Sequence, residues 1–248
     1  MIDIHSHIIP GVDDGSRNLD ESLKMLDIAA DSGVDTIVAT PHCNIPGEYD
    51  NYAGPMLEER FLLLEQARKE ANIPIRICRG MEIFATQDLP ELLCGGKVWT
   101  LNGTPYFLME FAFSEDPAFC EMVLDRCLAQ GFLPVIAHPE RYFFVQDDPQ
   151  LAYEWCTSGC ALQLNKGSVL GKFGPEPYRC AQALLDHGLA ACIASDAHGA
   201  VHRTTRMSSV SESLLYDYGD DYRRLLLEEN PKRILEGRQL LGYEPIPF

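Results

Sequence analysis

Short apolar runs alternate with amphipathic stretches along most of the chain. Runs at Ile2–His5, Thr36–Thr40, Ile75–Glu82, Tyr106–Glu110, Val135–His138, Ala161–Asn165 and Ala191–Asp196 have the length and side-chain content of buried strands. The stretches between them carry helix punctuation. Asn18 followed by Glu21 has the form of a capping box, opening a helix that runs towards Gly33. Asp116-Pro117 opens another, with proline at the first helical position and Gly131 just past its end. Asp148-Pro149 with Gly159, and Pro175 with Gly188, repeat the arrangement. Strands alternating with helices predict a parallel sheet, closed into a barrel or open and doubly wound. Cys43–Gly54 is the longest expected loop, and the tail after Ala200 reads as mostly helical. No composition break or repeat divides the chain, so residues 1–248 are expected to form a single domain.

Composition narrows the function classes. Hydrophobic residues at 46% and charged residues at 23% permit a substantial core. A net charge of -17 argues against nucleic acid as the main partner, which requires clustered lysine and arginine. The opening MIDIHSH has no basic or apolar leader character, and no apolar stretch is long enough for a bilayer. Nine cysteines lie scattered without framework spacing, as suits reduced core thiols. The expectation is a cytoplasmic protein without direct membrane insertion.

The candidate chemistry falls at the strand ends. His5 and His7 close the first run two residues apart, so both side chains point to one side. His42 follows the second run, Glu82 ends the third, Glu110 the fourth and His138 the fifth, while Asp196 and His198 close the last. Six of seven expected strands thus deliver a His, Asp or Glu to the edge where α/β barrels build active sites. One such histidine would be an ordinary core or surface residue; the alignment along the whole chain is harder to explain by packing. Imidazole and carboxylate together suit divalent Mn, Fe or Zn. Adjacent ions lower the pKa of a shared water and clamp the oxygens of an in-line displacement at phosphorus. Asp14, in the turn Asp13-Asp14-Gly15, is a further candidate ligand, although such turns are common. His187 and His202 fall outside the set and read as ordinary polar residues.

The strings HSHIIPGVDDGS, TPHCN, GMEIF, FLMEF, AHPERY and SDAH resemble the PHP superfamily of metal-dependent phosphoesterases. Within it, DDGS, HPER and QLNKGSVLGKFG are most similar to the bacterial tyrosine-protein phosphatases of capsular and exopolysaccharide systems. The resemblance runs from Met1 to the NPKRIL segment. It implies a distorted (β/α)7 TIM-like barrel, the PHP fold, and three metal sites, with manganese the favoured ion. His5, His7, Glu82 and Asp196 would hold the first ion, Glu82, Glu110 and His138 the second, and Asp14, His42 and His198 the third. It also implies catalytic, phosphate-binding roles for Arg141, in HPER, and Arg203, for which nearby Arg206 could substitute; a guanidinium fork matches phosphate oxygens. The implied reaction is hydrolysis of phosphotyrosine by metal-activated hydroxide. The implied partner is a tyrosine autokinase controlling polysaccharide synthesis.

Rival readings remain. A cysteine-dependent phosphatase would use a C-x5-R loop, a spacing met by Cys120 and Arg126. That segment reads as helical, its apolar face includes Cys120, and no glycine-rich cradle surrounds it. A PHP phosphatase of a small metabolite, such as histidinol phosphate, would show the same ligands. Substrate choice would then lie at the rim, where Tyr142, Phe143 and Phe144 are placed to flank a phenyl ring, although such aromatics usually join the core. A non-catalytic, metal-stabilised scaffold for the kinase is a third reading, which the complete ligand set disfavours.

Overall fold

The computed structural model describes residues 1–242 and 245–248. Nine strands are present among them: β1 (Ile2–Ser6), β2 (Thr36–Ala39), β3 (His42–Cys43), β4 (Arg76–Arg79), β5 (Glu82–Phe84), β6 (Tyr106–Glu110), β7 (Leu133–Ala137), β8 (Ala161–Asn165) and β9 (Ala190–Ala194). All pair in parallel, β1-β2-β4 in one sheet and β3-β5-β6-β7-β8-β9 in another. The fold is therefore mixed α/β with parallel sheets.

Seven runs become nine strands because the third run divides in two and a short extra strand, His42–Cys43, follows the second. Thr40-Pro41 separates β2 from β3, and Gly80-Met81 separates β4 from β5. Pro41 has no N–H for a ladder. A Cβ on Gly80 would come within 2.9 Å of Val38 and Leu101 side chains. The lines still run on, since Gly80 N–H donates to Ala39 (3.0 Å) and Glu82 N–H to Pro41 (3.1 Å). Their first halves pair towards β1 and their second halves towards β6. Between β1 and β9 there is no ladder, only the Ser6–Ala197 bridge and bonds from His7 N–H to Ala197 (2.8 Å) and Asp196 N–H to His5 (2.9 Å). The two sheets meet at this seam through these bonds and not through a continuous ladder.

Helices fill the connections: α1 (Leu19–Asp31), α2 (Pro55–Glu70), α3 (Leu89–Cys94), α4 (Pro117–Ala129), α5 (Phe143–Asp147), α6 (Gln150–Thr157), α7 (Lys166–Val169), α8 (Pro175–Asp186), α9 (Ser208–Tyr218), α10 (Asp220–Arg224) and α11 (Asn230–Leu235). Asn18 caps α1 by accepting from Glu21 N–H (3.0 Å). The reciprocal half of the box differs from expectation, because Glu21 accepts from Arg17 N–H (3.1 Å) and the Arg17 guanidinium (2.8 Å). Most strand residues are buried, as in parallel strands covered on both faces, although β1 also buries Asp3 and His5 and β8 buries Gln163 and Asn165. Ile37, Phe107, Met109, Ile136, Leu162 and Ile193 pack with the helices. Alternate residues, among them Ile4, Val38, Leu108, Val135 and Ala194, form a second core that Ile234 and Leu235 of α11 join. No helix among the described residues is long and apolar enough to cross a membrane.

Candidate metal centre

Three imidazole nitrogens converge on one carboxylate oxygen. Oε2 of Glu82, the first residue of β5, lies 3.1 Å from His5 Nε2, 3.2 Å from His7 Nε2 and 3.2 Å from His42 Nδ1. That oxygen is buried and accepts no well-formed hydrogen bond. Asp196 Oδ1 stands 3.6 and 3.7 Å from the same His5 and His7 nitrogens. The two Nε2 atoms are only 3.3 Å apart. Their outward nitrogens are held by acceptors: His5 Nδ1 by Gln163 Oε1 (2.7 Å) and His7 Nδ1 by Asp13 Oδ2 (2.8 Å). His198 Nδ1 donates to the Asp196 carbonyl (3.1 Å). Acceptors at Nδ1 favour the tautomer whose Nε2 lone pair faces inward. Inward lone pairs beside two carboxylates suit a shared cation, so the donors fit divalent metal.

Three overlapping groups have the compactness of ion sites. His5, His7, Glu82 and Asp196 form one, entirely buried. His7, Asp14, His42 and His198 form the second, with Asp14 Oδ1 3.5 Å from His42 Nε2 and 3.4 Å from His198 Nε2. His42, Glu82 and Glu110 form the third, with His42 Nδ1 3.1 Å from Glu110 Oε1. His138 was expected in that last group. Its Nε2 reaches Glu82 Oε1 at 2.8 Å and Glu110 Oε2 at 3.8 Å, on the other carboxylate oxygens. All nine expected ligands therefore lie in one connected cluster, with His7, His42 and Glu82 shared between groups.

Without metal, charge must be balanced by protons. Burial alone would lower His7, yet Asp13 and Glu82 raise it well above its ordinary value. Burial opposes protonation of His42 too, and Glu82 and Glu110 outweigh it, raising it to about 9. Glu82 is driven well below the carboxylate range: its burial is outweighed by His5, His42 and His138. The hydrogen bond from His198 lowers Asp14 to about 2.

Arg141 and Arg203 both turn towards Asp196 Oδ2, at 3.4 and 2.7 Å. The Asn165 amide donates to the same oxygen at 2.5 Å, leaving Oδ1 to the histidines. Arg141 is also clasped between aromatic faces, its guanidinium carbon 4.7 Å from the Phe113 centroid and 4.8 Å from that of Phe173. Arg206 makes no such approach; its guanidinium is exposed. His138, Asp196 and Arg203 hold left-handed backbone, with φ of 39°, 47° and 45°. Such φ values are costly outside glycine and collect at functional positions.

The structure corrects the expectation for Tyr142. A short turn at Pro139–Arg141 rotates it inward, where it is 0% exposed. Its hydroxyl donates to Ala137 O (2.8 Å) and accepts from Phe111 N–H (3.0 Å). It cannot flank a substrate. Phe113 and Phe143, 36% and 57% exposed, provide the accessible rings beside Arg141. Cys120 is buried in α4 with its thiol pushed up by burial, and Arg126 is engaged by Gln87 O and Glu91. That pair forms no nucleophile site.

Sequence reasoning missed the residues that aim the ligands. Asp13 was passed over for Asp14, yet its side chain is wholly buried and also accepts from His42 N–H (3.0 Å) and Gly15 N–H (3.0 Å). Gln163 and Asn165 lie on β8, the one expected run with no candidate ligand at its end, where an apolar run interrupted by two amides was the available signal. Tyr49 stacks on His42 with centroids 5.6 Å apart, from a loop that offered no signal.

Comparison with known proteins agrees with this geometry. Residues 1–236 match the family model of CpsB/CapC, capsular polysaccharide synthesis. The chain is 33% identical to the tyrosine-protein phosphatase YwqE of Bacillus subtilis, over 100% of this chain and 96% of that one. It superposes with a TM-score of 0.93 and 32% identity on a crystal structure from work on YwqE and Streptococcus pneumoniae CpsB, described there as metal-dependent tyrosine phosphatases; 100% and 99% of the two chains are covered. A Lactococcus lactis histidinol phosphate phosphatase, crystallised with zinc, histidinol and phosphate, shares the fold alone, at 15% identity and a TM-score of 0.54, over 97% and 95% of the chains.

Proposed function

Because the chain belongs to the CpsB/CapC family of capsular polysaccharide synthesis, we propose that it is a metal-dependent protein-tyrosine phosphatase acting on a phosphotyrosyl protein. The observation that carries this reading is the cluster of nine His, Asp and Glu ligands opening beside Arg141 and Arg203. His5, His7, Glu82 and Asp196 would hold one ion, Glu82, Glu110 and His138 another, and Asp14, His42 and His198 a third, with manganese the ion proposed. Divalent ions bound there would lower the pKa of a water towards neutrality and offset the charge on phosphate oxygens.

The chain's own groups do the rest. Asp13, Gln163 and the Asp196 carbonyl keep three imidazoles in the ligating tautomer. Arg141 has one long polar contact, so most of its five N–H donors stay available to phosphate. Phe113 and Phe173 keep that guanidinium from swinging away. Arg203, one-third exposed, offers a second donor set while neutralising Asp196. Phe113 and Phe143 give a phenyl ring an apolar wall. The leaving phenolate has a reference pKa of about 10, so departure needs little help from a general acid. The substrate proposed is the autophosphorylated tyrosine kinase of a polysaccharide export system. The nine free cysteines suit the reducing cytoplasm where that kinase's tail would lie.

Turnover of a phosphotyrosyl peptide, a phosphoseryl peptide and histidinol phosphate, measured in parallel with each divalent metal, tests the assignment. Preference for the phosphotyrosyl peptide is expected. Rapid cleavage of histidinol phosphate with none of the peptide would replace it by a metabolite phosphatase, and no turnover with any metal would leave the scaffold reading.

A further inference from the structure

Next to the metal cluster lies a cavity of about 350 Å³ whose lining contains no carboxylate among the described residues. Its walls include Lys172, Phe173, His202, Arg203 and Arg206. That concentration of cations is unusual for this chain, which carries 37 Asp and Glu against 20 Lys and Arg. Most arginines are paired with acids, such as Arg17 with Glu21, Arg79 with Glu58 and Arg223 with Asp220. Lys172 and Arg206 are exposed, and among the described residues no hydrogen bond or ion pair engages either side chain. Lys166 beneath them is different: its ammonium is buried and donates to the Thr204 and Arg206 carbonyls, tying the loop that carries Arg206 to α7. That tie gives the cationic wall a fixed base.

The cavity adjoins the metal cluster through shared walls. Asn165 and Arg203 line it and both bond Asp196 Oδ2. Phe173 also lines it while packing on Arg141, so one ring borders both spaces. A group bound here would belong to the same substrate as a phosphate at the metals, displaced along its chain.

We propose that this cavity is an anionic subsite, in which Lys172 and Arg206 bind an acidic side chain, carboxylate or phosphate, flanking the phosphotyrosine of a peptide substrate. The proposal rests on the phosphatase reading for the identity of the central residue. An anionic subsite also answers a long-range problem: a chain of charge -17 repels acidic peptides, and local unpaired cations beside the centre reverse that field where the peptide must land.

The test is equilibrium binding, by fluorescence anisotropy, of labelled peptides carrying non-hydrolysable phosphonomethyl-phenylalanine. Their flanks are serine, glutamate or a second phosphonomethyl-phenylalanine, and the protein is manganese-loaded wild type, Lys172→Glu or Arg206→Glu. Wild type is expected to bind one or both acidic-flanked peptides roughly tenfold more tightly than the serine peptide, a preference that both variants lose and that weakens with salt. Which acidic flank responds identifies carboxylate or phosphate as the ligand. Equal affinity for all three peptides, or a preference that survives both substitutions, overturns the subsite. Turnover of a serine-flanked phosphotyrosyl peptide by wild type reports separately on the phosphatase reading, so either can fail alone.

Discussion

Asp13 belongs to none of the three compact groups, yet it fixes His7 through Nδ1 and the start of β3 through His42 N–H. Asp13→Asn is therefore expected to weaken manganese binding about ten- to hundredfold, as loss of such a support does elsewhere, while circular dichroism stays native. Isothermal titration calorimetry checks this, and unchanged affinity would remove the orienting role. Arg141→Lys keeps the charge but loses the planar fork and its seat between Phe113 and Phe173. Turnover of a phosphotyrosyl peptide should fall about 10²-fold with metal content unchanged; wild-type turnover would mean that Arg141 does not meet the phosphate. At this scale the sequence was readable where residue type alone carries chemistry, as for the nine His, Asp and Glu side chains that the fold gathers into one cluster. It was unreadable where direction decides. Tyr142 follows Arg141 directly, but one tight turn sends the two to opposite sides.

The elements explain why the ligands meet. β1 ends in a loop that doubles back so closely that a Cβ on Gly15 would stand 2.3 Å from both the Cβ and the carbonyl oxygen of His7. Gly15→Ala must push His7 or the Asp13-Asp14 turn aside. A loss of about 1–3 kcal/mol of stability is expected from overpacking, with weakened metal binding. Urea unfolding and metal titration of the same variant measure both, and native values for both would show that the loop yields freely. The strand runs were legible because parallel strands covered on both faces are continuously apolar. Their division at Pro41 and Gly80 was not, because pairing on opposite flanks is a property of neighbours. The helix stops at Gly33, Gly131, Gly159 and Gly188 were readable, since each adopts the positive φ for which glycine is suited.

Over the whole molecule, eight of the nine cysteines are buried or partly buried, Cys94 being the exposed one. Burial pushes Cys43, Cys127, Cys156, Cys160 and Cys180 up to about 12, and raises Cys78, Cys120 and Cys192 as well. Above about pH 8.5 these thiols ionise in the unfolded chain and stay protonated in the native one. The native state then holds more protons, so stability falls as pH rises. Urea midpoints should drop steadily from pH 8.5 to 10.5, and a flat profile would contradict the burial of these thiols. Iodoacetamide at neutral pH should modify Cys94 first and leave activity intact, consistent with a centre that uses no thiol. The acidic surface disguised the local cations, because composition averages over the chain while the site depends on a few residues. The central claim is that the His, Asp and Glu cluster hydrolyses phosphotyrosine through bound metal. The most direct measurement is phosphate release from a phosphotyrosyl peptide by protein stripped with chelator and then titrated with manganese. The account predicts no release from the stripped protein and recovery that saturates with metal. Equal release with and without metal, or none from fully loaded protein, would contradict it.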